Sequence, residues 1–169
     1  MSLVQLIDLP NLSDPRGGLV ALESNQSIPF ELKRIYYIFK TNDQQARGFH
    51  AHKNLKQIAI CLKGSCKFIL DNGHHKEEVI LNSPLKGLLI ESLMWREMHD
   101  FSEDCVLLVL ASEYYDESDY IRNYDDAPPV YVRGKYRIYK VETLTPERPF
   151  MSGLVVRAVF PVLAVSQMA

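Results

Sequence analysis

The segment RGFHAHK, residues 47–53, carries two histidines one residue apart, His50 and His52, behind an arginine and a glycine. On an extended strand alternate side chains share a face, so both imidazoles address one small ligand, their Cα atoms about 7 Å apart. Such a pair can hold a metal, move protons, or pack as wall. A single strand histidine is commonly packing; two on one face, after a glycine that leaves room for a ligand, favour chemistry. Imidazole titrates near pH ~6.5, so a neutral ring accepts a proton and a protonated ring returns one. Two along one wall suit a reaction that takes a proton from one carbon and delivers one to its neighbour. A ketone moving between adjacent carbons of a sugar, through an enediol, requires this and needs no redox cofactor.

The metal alternative fares worse. An HxH pair on a barrel strand is similar to the first motif of metal-binding cupins, which continues with a glutamate and gains another histidine from a second motif. Here Lys56 and Gln57 occupy the neighbourhood of that glutamate, and Arg96, in GLLIESLMWREMHDF, stands where the second histidine would fall. A cationic side chain repels a divalent ion, and two imidazoles fall short of the three or four protein ligands of typical sites. His99 is a substitute ligand only in a displaced register. We therefore expect a metal-free site that needs no cofactor. Arg16, in DPRGGLVALE, and Arg47, three residues before His50, can each set a guanidinium fork on a phosphate of an anionic substrate. Tyr36 and Tyr37 point to opposite faces of their strand, one expected toward the cavity and the other toward the core.

These side chains must be held by strands. Between residue 4 and about residue 112 the chain runs through VQLID, GLVALE, LKRIYYIF, RGFHAH, LKQIAICL, CKFIL, EEVIL, GLLIE and DCVLLVLAS. Spacing of roughly 8–12 residues with turn residues between predicts an all-β antiparallel sandwich or barrel. Lys63-Gly64 and Asn72-Gly73 mark tight turns of the kind two-residue hairpins use, and CKFIL and EEVIL read as a hairpin through DNGHH. ASEYYDESDYIRNYDD, residues 111–126, predicts a turn or short helix closing one end of the barrel. After Asp126 the character changes, so residues 1–126 form the expected domain and 127–169 a C-terminal extension. The closing run MSGLVVRAVFPVLAVSQMA is interrupted by Arg157 and Pro161 and reads as a strand or docking arm.

A chain of 169 residues suits one domain. Nineteen basic against twenty-one acidic residues leave a net charge of -2, which gives no basic field for nucleic acid or anionic lipid. No window reaches the ~18 apolar residues of a membrane span, and MSLVQLIDLP lacks the features of a secretion signal. A cytoplasmic protein that meets neither membrane nor nucleic acid is expected. Cys61, Cys66 and Cys105 sit in apolar runs without CxxC spacing and read as buried reduced thiols.

Taken together, DPRGGLVALE, IPFELKRIYYIF, RGFHAHKNLKQIAICLKGSCKFILD and WREMHDFSEDCVLLVLASEYYDESDYIRNYD resemble the cupin-type dTDP-4-keto-6-deoxyglucose 3,4-ketoisomerases over about residues 5–126. Those enzymes make 3-keto sugars on the way to amino sugars of bacterial surface polysaccharides. The resemblance implies a cupin jelly roll, His50 as the base at C3 of the hexose, and His52 as a proton relay. It further implies Tyr36 beside the sugar, with Arg16 and Arg47 on the nucleotide diphosphate or sugar. It also implies a homodimer that exchanges N-terminal strands, with Arg16 serving the partner's site. The family usually reads WHEMHDF where this chain has WREMHDF, so Arg96 replaces a histidine near the cavity mouth, and residues from about 127 do not match its usual ending. A dTDP-sugar 3,5-epimerase, a non-catalytic sugar-nucleotide-binding cupin and a metal-dependent cupin oxygenase are the alternatives. The configuration at C4 of the product stays open.

Overall fold

A computed structural model describes residues 2–41 and 45–127, and the backbone of two short strands beyond them. The strands are β1 (Gln5–Asp8), β2 (Arg34–Ile38), β3 (Arg47–His52), β4 (Gln57–Lys63), β5 (Cys66–Asp71), β6 (Lys76–Leu81), β7 (Lys86–Ile90), β8 (Trp95–His99), β9 (Val106–Ala111) and β10 (Tyr120–Ile121). One sheet has the order β1-β7-β4-β9-β2 and the other β10-β3-β8-β5-β6, with antiparallel pairing throughout. Two single-turn 3-10 helices, Glu117–Asp119 and Tyr124–Asp126, flank β10. This is an antiparallel two-sheet sandwich, as the strand spacing predicts, in the cupin-like form that the family resemblance implies. Of the residues beyond 127, the two described strands, β11 (Val130–Arg133) and β12 (Tyr136–Tyr139), pair antiparallel. The apolar C-terminal run lies outside the described residues. Among those described, no helix is long and apolar enough to cross a membrane.

The main core lies between the sheets, where Ala59, Cys61, Leu88, Leu107 and Val109 of the first sheet meet Cys66, Phe68 and Leu70 of the second. All three cysteines are free and buried. The intervening residues of β4, Ile58 and Ile60, are equally buried, because a second cluster with Leu9, Ile28, Phe30 and Leu110 covers the outer face of the first sheet. Burial on both faces is why QIAICL reads as an unbroken apolar run.

That second core corrects the expectation for GLVALE. The segment is not a strand: Val20 makes an isolated bridge to Asn11, and Val20 and Leu22 pack on the sheet from a long irregular loop. Alternating burial has period 2 whether or not a ladder forms, so the pattern reported a contact face and not a hydrogen-bonded edge. Conversely β8 carries no clean alternation, since an arginine sits at one of its buried positions, and WREMH was not read as a strand.

Neither glycine turn is a two-residue hairpin. Lys63 and Gly64 form the corner where the chain leaves the first sheet for the second. Gly64 takes φ +70°, and a side chain there would collide with Ser102 and Cys105. Asn72 opens a four-residue loop between β5 and β6, its Oδ1 accepting from the N–H groups of His74 at 3.0 Å and His75 at 2.8 Å.

Candidate active site

The site is built around an irregularity in β3. Opposite β8, Arg47 pairs with Met98, Gly48 with Glu97 and His50 with Arg96, so Phe49 is an inserted residue, a β-bulge. In a straight strand Arg47 and His50 would face opposite ways. With one residue bulged out, Arg47, His50 and His52 share the inward face with Arg96 and Met98. Gly48 at φ +93° and Phe49 at φ +51° absorb the distortion, and a Cβ on Gly48 would lie 2.7 Å from the Arg96 carbonyl oxygen. Phe49 is thrown outward, its ring edge-on to His99 at 5.8 Å.

The two imidazoles stand 4.8 Å apart, centroid to centroid, at 86°. His50 Nδ1 lies 2.8 Å from the Gly48 carbonyl, which can only accept, so Nδ1 carries the hydrogen and Nε2 keeps its lone pair. His52 Nδ1 donates to Asp119 Oδ2 at 3.0 Å. The other carboxylate oxygen accepts from the backbone N–H and the side-chain amide of Asn54, at 2.8 and 3.2 Å, so Asp119 is itself held in place. Tyr120 pairs with His52 across β10–β3 and lays its ring 4.2 Å from His52 and 4.9 Å from His50.

Burial first, and then the Arg96 charge, push His50 down to about 4. The same two causes lower His52, with His50 adding to them; the Asp119 carboxylate works in the opposite sense. Both rings are therefore neutral near pH 7, with Nε2 free to accept a proton. Arg96 is 2% exposed and, although burial lowers it to about 10, it stays charged.

From the facing sheet, Tyr36 and Gln57 complete the wall. Gln57 Nε2 donates to the Tyr36 hydroxyl at 2.8 Å, leaving the phenol's own hydrogen to donate elsewhere. Desolvation raises Tyr36, which keeps that proton at neutral pH. The Arg34 guanidinium lies 5.5 Å from the centroid of Tyr36 and 5.6 Å from that of Tyr115.

Of the residues singled out from the sequence, His50, His52 and Tyr36 come together between the sheets. Arg47 is exposed at the start of β3, on the histidines' face. Arg16 is not brought to the site of its own chain: its side chain is 91% exposed and ion-paired with Asp14 in the turn at residues 14–17. Two expectations need correction. Tyr37 faces neither cavity nor core but is 63% exposed, because nothing among the described residues covers that face of β2. Arg96 is not at a mouth but fully buried, since its strand runs through the middle of its sheet. His99 points to the outer face, bonded to Glu97 at 2.9 Å. Among the described residues, no three His, Cys, Asp or Glu side chains converge as ligands for a metal.

Sequence reasoning missed Arg34, Gln57, Asp119 and Tyr120 as site residues. The string SEYYDESDYIRNYD drew attention as a whole, but nothing within it marks Asp119 above its acidic neighbours.

Two imidazoles held neutral by burial, a phenol and a buried guanidinium thus lie between the two sheets of a cupin-like sandwich. Residues 2–128 match the family described as FdtA: WxcM-like, C-terminal, and the chain belongs to that family. It is 55% identical over 122 residues, 72% of this chain and 88% of the other, to the TDP-4-oxo-6-deoxy-alpha-D-glucose-3,4-oxoisomerase of Aneurinibacillus thermoaerophilus. Among solved structures it resembles a His→Asn variant of the 3,4-ketoisomerase QdtA of Thermoanaerobacterium thermosaccharolyticum in complex with TDP-4-keto-6-deoxyglucose. That match has a TM-score of 0.71 and 50% identity over 74% of this chain and 91% of the other. The WlaRB TDP-quinovose 3,4-ketoisomerase of Campylobacter jejuni matches with a TM-score of 0.72 and 50% identity, over 75% and 97%.

Proposed function

We propose that this protein is a sugar-nucleotide 3,4-ketoisomerase, converting dTDP-4-keto-6-deoxyglucose to a dTDP-3-keto-6-deoxyhexose without a redox cofactor or metal. The observation that carries the reading is the pair of neutral imidazoles side by side, each with Nδ1 committed to an acceptor and Nε2 left as a base. The kinship with the oxoisomerase of A. thermoaerophilus supports the substrate class. His50 takes the proton from C3, and the electrons of that bond form the C3=C4 double bond of the enediol. The hydrogen on the C3 hydroxyl passes to the former carbonyl oxygen, C4 receives a proton, and the ketone reappears at C3. His52, its tautomer set by Asp119, relays protons, and Tyr36 donates to a sugar oxygen. Arg47 contacts the nucleotide diphosphate or the sugar.

Residues 1–126 form the catalytic domain in this reading and 127–169 an extension outside the chemistry. The active unit is a homodimer with exchanged N-terminal strands. Support for it comes from the edge strand β2, which exposes Ile35 and Tyr37, with Phe39 just beyond, and from Arg16, which stands free of its own site. In the dimer Arg16 serves the partner's pocket.

The decisive experiment incubates the protein with dTDP-4-keto-6-deoxyglucose in deuterium oxide and follows the products by NMR. A 3-keto sugar with deuterium at C4 is expected. Unchanged substrate, or exchange at C5 with epimerisation, would overturn the assignment.

A further inference from the structure

Arg96 poses a physical problem that its surroundings do not solve. The side chain is 2% exposed, and Nε and Nη1 are shut off from solvent with no hydrogen-bond partner among the described residues. Nη2 reaches only the Glu91 carbonyl, at a marginal 3.5 Å. Of its ten ion pairs within the described residues the protein commits none to Arg96. A buried charge without a hydrogen-bonded counter-ion is costly, and proteins keep one where something else supplies the compensation. The register places this guanidinium directly opposite His50 on the inward face, and it lies in the electrostatic field of Tyr36, Tyr120 and Asp119. Its unsatisfied N–H groups thus belong to the same chamber as the two bases.

We propose that Arg96 is a catalytic residue whose free guanidinium N–H groups receive the negative charge formed on the sugar's oxygens during proton transfer. The assignment rests on the isomerase reading and adds the component that reading lacks, a stabiliser for the enediolate. When His50 removes the C3 proton, the C–H electron pair becomes the C3=C4 bond and the carbonyl π pair moves onto the C4 oxygen as negative charge. After the hydroxyl proton crosses from the C3 oxygen to the C4 oxygen, the charge sits on the C3 oxygen. It returns to carbon as C4 takes a proton and C3 becomes the carbonyl. Charge therefore appears on one oxygen and then on its neighbour. A rigid, multiply donating cation placed beforehand in a dry site follows it without reorganisation. The same charge disfavours protonation of both histidines, so the base and the charge acceptor are set by one residue. An arginine keeps its charge at every working pH, where a histidine at this position would lose it.

The test compares Arg96→Gln and Arg96→Lys with the parent protein at pH 8, where His50 and His52 are neutral whether or not the arginine is present. For Arg96→Gln, kcat for the keto sugar should fall about 10²–10³-fold, the usual consequence of removing a preorganised oxyanion donor. KM and the affinity for dTDP alone, measured by titration calorimetry, should stay within about threefold. Arg96→Lys should recover about tenfold of the loss, as a point charge without the fork. A kcat for Arg96→Gln within about threefold of the parent at pH 8, or a loss confined to KM, overturns the assignment and leaves Arg96 only a keeper of histidine neutrality. Should Arg96→Gln fail to bind dTDP, Arg96→Lys decides alone: a tenfold or greater fall in kcat supports the proposal, and a fall under about threefold overturns it. Absence of turnover by the parent protein overturns the isomerase reading itself, an outcome distinct from an active parent with an active Arg96→Gln variant.

Discussion

The same strands build both ends of the space between the sheets, and the two ends have opposite characters. On β4, Gln57 faces one end and Cys61 the other; on β9 the corresponding residues are Ala111 and Leu107. Across from them, β8 offers Arg96 toward the first end and Met98 toward the second. The cysteine end, closed by the Gly64 corner and Phe101, is apolar and dry: Cys61, Cys66, Cys105, Phe101 and Leu107 are all at or below 1% exposure. The histidine end buries polar and charged groups instead, His52, Gln57 and Arg96 among them, some without partners. Burying apolar surface drives folding, whereas burying unpaired polar groups opposes it. One end thus supplies stability that the other end draws down to keep a reactive chamber. Substitutions at the two ends should therefore separate activity from stability.

The largest effect is expected from His50→Asn, which keeps size and polarity but removes the base. Turnover should fall by about 10³-fold or more, in the upper part of the range for a general base, while the melting temperature stays near that of the parent. A variant retaining most of its turnover would remove His50 from the chemistry and blur the contrast.

Next in size is Phe101→Ala at the opposite end. Emptying a buried phenylalanine site should cost about 3–5 kcal/mol of unfolding free energy, read from chemical denaturation, with kcat per folded molecule unchanged. A comparable loss of kcat at temperatures where the variant is folded would show that the ends are not independent.

The smallest effect is a pH dependence. Folded His50 titrates near 4, well under its unfolded value of about 6.5, so between these values the unfolded chain binds a proton that the folded one refuses. Stability contributed by the neutral ring is present above pH ~6.5 and is lost as pH falls toward 4. His52, lowered in the same direction, adds to the slope. Melting temperature should thus begin to drop below pH ~6.5 while kcat/KM holds until the pH nears 4. An activity profile that falls at pH ~6.5 would mean that His50 titrates as an exposed imidazole, and the chamber is wetter than its burial implies.

Much of this was legible in the chain. Eight of the nine segments read as strands contain one, because period-2 burial and glycine punctuation are local properties. His50 and His52 identified themselves by spacing, whereas RIYYIF left Tyr36 and Tyr37 undistinguished and only the family resemblance chose Tyr36. GLVALE misled because alternation records which residues are covered, not what covers them. WREMH was passed over because its inward arginine broke the pattern.

What the sequence determined alone was most of the strands, the histidine pair and the family, since each depends on residue types and short spacings. Tertiary structure decided which groups surround that pair. Asp119 fixes the tautomer of His52 across 67 residues of chain. Arg96 meets His50 only because β8 lies beside β3, and the bulge at Phe49 alone brings Arg47 onto the histidines' face. Proton affinity and charge stabilisation depend on distance and burial in three dimensions, and the order of residues along the chain does not encode adjacency between strands until the sheets have assembled.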